Sequence, residues 1–146
     1  MKASQRLKPV QRLNDFHEQN AARELGGHTR KLDAHRKRLE DLNLYQIEYG
    51  RNFLNQGQAG MSASKLQDYQ AFMANLTRAI EQQRLIIKQF EAENERLKRQ
   101  WMATHQRSKA VDSVVDKLVV QESYAEDKRT QKELDDRGNS VKNQLK

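Results

Sequence analysis

Cysteine is absent from the 146-residue chain, which excludes a disulfide framework and any thiolate metal site. There is a single proline, and the six glycines are few for a loop-rich fold, so long uninterrupted elements are expected. No apolar run approaches the roughly 20 residues of a membrane span, and Met1 to Arg12 lacks the apolar centre of a signal peptide. A soluble, cytoplasmic protein without direct membrane insertion is expected. Apolar residues make up only 36% of the chain and the mean hydropathy is -1.07, too little for a three-dimensional core. Burial should therefore follow a seam.

What is present supplies that seam. From Leu66 to Leu118 apolar residues recur in alternating steps of four and three, through Tyr69, Met73, Leu76, Ile80, Ile87, Phe90, Leu97, Trp101, Val111 and Val115. Gln83, Asn94, Thr104 and Ser108 fall at the same positions as polar interruptions. This is an a/d heptad repeat, and a single amphipathic helix of that length needs a partner to cover it. Leu25, Leu32, Leu39, Leu42, Tyr49 and Phe53 keep the same spacing in the first half, with His28, His35 and Gln46 on the seam and a looser pattern before Gly26-Gly27. The glycine pair predicts a bend or softening, and Pro9 fits only the first turns of a helix.

Between the two halves, Asn55-Gln56-Gly57-Gln58-Ala59-Gly60 has turn composition, and either Ser62 or Ser64 can cap the second helix. The fold class is thus all-α, a long two-helix antiparallel coiled-coil hairpin. Its boundaries are arm one about 5–54, turn about 55–62, arm two about 63–137 and a flexible tail 138–146. Placing Phe53 opposite Leu66 sets Leu39 against Ile80, Leu32 against Ile87, Leu25 against Asn94 and Leu7 against Asp112, which leaves Ser113 onward as an unpartnered overhang.

The net charge of +7 is spread, with 11 Lys/Arg against 7 Asp/Glu in residues 1–60 and 16 against 13 in residues 61–146. Neither basic stretch, His28 to Arg38 or Arg96 to Lys109, interleaves exposed aromatics, so no nucleic-acid partner is expected. Phosphate-binding loops, a dinucleotide turn and paired zinc histidines are missing, and His28 with His35 reads as polar seam rather than metal site. Neither catalytic residues nor cofactors nor metal ligands are expected. The Asn75-Leu76-Thr77 sequon includes a seam leucine and reads as chance.

The run Asp41-Leu42-Asn43-Leu44-Tyr45-Gln46-Ile47-Glu48-Tyr49, the run Asp68-Tyr69-Gln70-Ala71-Phe72 and the run Arg78-Ala79-Ile80-Glu81-Gln82-Gln83-Arg84 resemble the FliJ family of flagellar export proteins. So do the turn ending in Gly60-Met61-Ser62-Ala63 and Gln131-Lys132-Glu133-Leu134-Asp135. The resemblance implies a hairpin similar to the central stalk of rotary ATPases. It also implies a cytoplasmic, non-enzymatic part of the flagellar type III export machine, peripheral to the inner face of the membrane at the flagellar base and a monomer when free. The implied partners are the export ATPase FliI and its regulator FliH, the export gate FlhA and export chaperones. By position, the gate-binding residues would be Leu42, Tyr45, Tyr49, Phe72, Leu76 and Ala79, with Arg38 and Gln83 continuing that surface as poorer matches. Helical geometry separately sets Tyr45, Phe72, Ala79 and Ile86 on one edge of the seam, apolar where the opposite edge is polar. The basic end formed by Lys2, Arg6, Lys8 and Arg12 alongside Arg107 and Lys109 would enter the ATPase ring. A general helical scaffold or chaperone, or a basic nucleic-acid-binding coiled coil, is the alternative.

Overall fold

The computed structural model describes residues 1–145. Among them there is no strand; helices α1 (Ala3–Arg6), α2 (Lys8–Gly57) and α3 (Ala63–Gln144) account for nearly all of the chain. α1 and α2 are separated only at Leu7. Pro9, the second residue of α2, has no N–H to give Gln5, and its ring crowds that carbonyl, which accounts for the interruption. α2 then runs through Gly26 and Gly27 without a break, so the glycine pair does not end the helix.

The connection is shorter than the sequence suggests, because α2 persists to Gly57. The N–H of Ala59 donates to Gln56 O and that of Gly60 to Gly57 O, both at 3.2 Å, closing the last turn of α2. Gly60 has φ of 90°, a left-handed conformation that glycine adopts without the Cβ clash other residues suffer. Ser62 is the cap: its Oγ accepts the Lys65 N–H at 3.2 Å and its carbonyl accepts the Leu66 N–H at 3.1 Å. Leu66 itself is exposed, and the seam begins one turn later at Tyr69.

The chain forms two compact units, Ala21–Gln100 and Met1–Asn20 with the chain from Trp101 on. The first is an antiparallel helical hairpin. Its seam buries Leu32 to 2% exposure, with Leu76, Ile80, Ile87 and Leu97 also buried. At about 25 cal/mol per Å² of apolar surface, this row supplies the main drive for pairing the helices. Two polar layers interrupt it. Buried Asn94 accepts from Thr29 Oγ1 at 3.1 Å and from His28 Nδ1 at 3.2 Å, while buried Gln83 donates to both the carbonyl and Nδ1 of His35 at 3.0 Å. Phe90 lies between the two imidazoles, with ring centroids 4.9 Å from His28 and 4.6 Å from His35. The histidines are polar seam residues with partners.

In the second unit polar contacts join the two arms, with Val115 buried among them. Ser108 Oγ donates to Asp15 Oδ1 at 3.1 Å, Gln11 Nε2 donates to Asp112 Oδ1 at 2.8 Å, and the His105 Nδ1–H meets the Glu18 carboxylate. At the chain start the Glu122 carboxylate accepts from Ser4 Oγ at 2.6 Å and Ser4 N–H at 3.0 Å, and Lys2 pairs with Glu126 at 3.4 Å.

These contacts correct the register. Phe53 stacks on Tyr69 rather than Leu66, Asn94 meets His28 and Thr29 rather than Leu25, and Asp112 meets Gln11 rather than Leu7. Polar pairing sets the alignment, and it carries the first arm as far as Glu126, so the overhang starts later than Ser113. α3 also continues to Gln144 instead of ending near residue 137. A lone glycine at 138 costs about 1 kcal/mol and does not end a hydrogen-bonded ladder, and Lys142 in the last turn complements the helix dipole. Residue 146, the end of the expected tail, lies outside the described residues.

Candidate partner-binding surface

Near the turn, aromatic residues recur every four positions on α2, at Tyr45, Tyr49 and Phe53, and face Tyr69 and Phe72 on α3. Spacing of four keeps them on one stripe of the helix. Phe53 stacks on Tyr69 with centroids 3.6 Å apart and planes 12° apart, Tyr49 lies over Tyr69 at 5.6 Å, and Phe72 is 4.3 Å from Tyr49 and 5.8 Å edge-on from Tyr45. The ladder ends in the open: Tyr45 is 49% exposed, while Tyr49 and Phe72 are half-buried. Below it an open groove of about 320 Å³ is lined by Asn52, Gln56, Met61, Lys65 and Asp68 together with the rings of Tyr49, Phe53 and Tyr69.

The residues expected at the gate therefore divide. Tyr45, Tyr49 and Phe72 are brought together, with Leu42 and Ala79 half-buried on the same helices. Leu76 is buried in the seam. Gln83 is likewise buried against His35, and Arg38 is exposed. Ile86 is half-buried, and on the opposite edge Gln70 and Arg84 are exposed, while Thr77 Oγ1 accepts a hydrogen bond from Gln46 Nε2 at 3.3 Å. Sequence reasoning placed Phe53 and Tyr69 in the seam only; the four-residue aromatic spacing that continues into them was the signal that they belong to this cluster.

Carboxylates lie among the residues of the expected basic end. Lys2, Arg6, Lys8, Arg12, Arg107 and Lys109 are all exposed. Lys2 pairs with Glu126 and Arg6 Nη2 donates to the Met1 carbonyl at 3.2 Å, while Arg107 and Lys109 flank Ser108, the partner of Asp15. The His105 hydrogen bond lowers the pKa of Glu18 below 4.5, and the Ser4 hydroxyl, then the Ser4 N–H, do the same for Glu122.

Among the described residues no group of three or more His, Asp or Glu side chains is arranged to hold a metal ion. Among the described residues no helix is long and apolar enough to cross a membrane. The fold class is an all-α helical hairpin, with a cluster of partly exposed aromatic rings bordering its turn. The family model described as flagellar FliJ protein matches residues 2–141, and the chain belongs to that family. It is 28% identical over 130 residues to the flagellar FliJ protein of Salmonella typhi, a match covering 89% of this chain and 88% of the relative. No solved structure matches. Membership makes this a flagellar export-related protein, in a family of export components rather than a known enzyme family.

Proposed function

We propose that the protein is a cytoplasmic, non-enzymatic component of the flagellar type III export apparatus. It acts peripherally at the inner face of the membrane, links the export ATPase ring of FliI with FliH to the export gate FlhA, and escorts export chaperones. The observation that carries the gate contact is the open aromatic surface of Tyr45, Tyr49 and Phe72 beside the turn, with Leu42 and Ala79 at its margin and Leu76 in the seam. Apolar rings left half-covered by the hairpin gain burial when a partner covers them, and aromatic anchors of this kind often cost about 2 kcal/mol or more when truncated. The ATPase contact is assigned to the unit that carries Lys2, Arg6, Lys8, Arg12, Arg107 and Lys109, as a mixed-charge surface.

Calorimetric titration with the purified cytoplasmic part of FlhA tests the gate contact. Phe72→Ala is expected to weaken binding at least about tenfold, equivalent to roughly 1.4 kcal/mol, while helicity is kept. Gln70→Ala on the opposite edge is expected to leave affinity unchanged. If Phe72→Ala melts the hairpin while binding per folded molecule stays the same, Phe72 belongs to the core and the surface is not the contact.

A further inference from the structure

α3 carries a second apolar stripe that the first arm does not touch. Val120, Tyr124, Leu134, Val141 and Leu145 are all more than half exposed, Tyr124 at 69%. They follow steps of four and three when Asp127, Gln131 and Gly138 are included. Val120 lies midway in sequence between Leu118 and Glu122, which face the first arm, so at about 100° per residue the stripe is on the opposite side of the helix. Tyr124, Asp127, Lys128, Gln131, Lys132 and Asp135 border the open surface beside it.

We propose that this stripe pairs, antiparallel, with the same segment of a second copy of the chain. The sequence is complementary to itself in that sense. With Gln131 level with Leu134 of the second copy, Tyr124 meets its Val141, Val120 meets its Leu145, and Asp127 comes level with Gly138 beside Arg137. Each pair occurs twice, as two-fold symmetry requires. On the flank Lys128 then faces Asp135 of the second copy, twice over; within one chain neither residue is in an ion pair among the described residues, and Asp135 accepts only from Gln131 Nε2 at 3.4 Å. The parallel alternative stacks Asp127 on Asp127 in the seam, a like-charge contact with no compensation. This pairing departs from the expectation of a monomer in one respect: the free chain associates as its concentration rises. Five apolar side chains per copy make a small interface, of the weak class.

Sedimentation equilibrium on the full chain from about 10 to about 500 µM tests this, since weak interfaces fall in that range. The mass is expected to climb from 17.1 kDa toward twice that value. Lys128→Asp alone and Asp135→Lys alone should each weaken association at least about threefold, as expected for two exposed pairs lost together. The combined exchange should restore it to within about twofold, because opposite charges again face each other. Circular dichroism on each variant confirms that the helix persists. A mass that stays at 17.1 kDa throughout, a double exchange as weak as the single ones, or association undiminished by Tyr124→Ser would overturn the proposal.

Discussion

The turn offers the sharpest test of how the hairpin is specified, because two of its glycines make opposite demands. Gly60 sits at φ of 90°, whereas Gly57 ends α2 without a positive φ, and a Cβ added at either position meets nothing within 4 Å. Space is therefore not the issue, and the substitution energies isolate backbone conformation. Gly60→Ala forces an L side chain into the left-handed region, at about 1–2 kcal/mol. Gly57→Ala replaces a helical glycine and removes freedom from the unfolded chain, for a gain of up to about 1 kcal/mol, less if the helix end frays. Gly60→Asn should fall between, since asparagine tolerates the left-handed region better than alanine. Urea unfolding followed by circular dichroism at constant m-value reads these directly, and thermal midpoints should move by roughly 2–6 °C per kcal/mol for a chain of this size. The expected order of stability is Gly57→Ala at or above the parent chain, then Gly60→Asn, then Gly60→Ala. If Gly60→Ala were as stable as Gly57→Ala, the left-handed turn would not be what sets the connection.

Leu32→Ala should be the most damaging single truncation in the seam, at about 2–5 kcal/mol by urea unfolding, because Leu32 is 2% exposed; a loss under about 1 kcal/mol would mean the seam collapses around it. For Glu18 and Glu122 the folded pKa lies below the usual 4.5, so the stability they contribute is present above that pH and is lost as pH falls through their depressed values. Glu18→Gln and Glu122→Gln should accordingly flatten the fall in unfolding free energy on acidification below about pH 4.5, and an unchanged slope would show that His105 and Ser4 do not hold these carboxylates charged.

The heptad spacing made the seam legible before any coordinates: Leu32, Leu76, Ile80, Ile87, Leu97 and Val115 are buried where it places them, and Gln83, Asn94 and Ser108 are buried as its polar interruptions. The register was not legible in the same way. Matching leucine to isoleucine scores several alignments almost equally, whereas the observed one is the alignment that satisfies amides, imidazoles and carboxylates. Asn94 with His28 and Thr29, Gln83 with His35, and His105 with Glu18 all have complementary partners in it. The burial of Ser4 and Asn14 and the clasp of Glu122 on Ser4 escaped a pattern search that counts only apolar residues. At the candidate surface, Tyr45 and Phe72 were readable from helical geometry alone. Leu76 also lies on the a/d stripe, and there the seam claims the side chain entirely.

The paired amides at Gln83 and Asn94 also fix what the hairpin of Ala21–Gln100 can do mechanically. Heptad seams permit their helices to ratchet, because a shift of one whole heptad returns apolar side chains to apolar neighbours. Here such a shift sets one amide against the other's histidine but the second against an apolar residue, Gln83 against Leu42 in one direction or Asn94 against Ala21 in the other, leaving one buried amide without a partner at about 1–3 kcal/mol. Like the wards of a key, these polar layers favour one axial position. Force applied along one helix of this hairpin is therefore handed to the other against a polar penalty on slippage, and longitudinal sliding is disfavoured as a mode of motion.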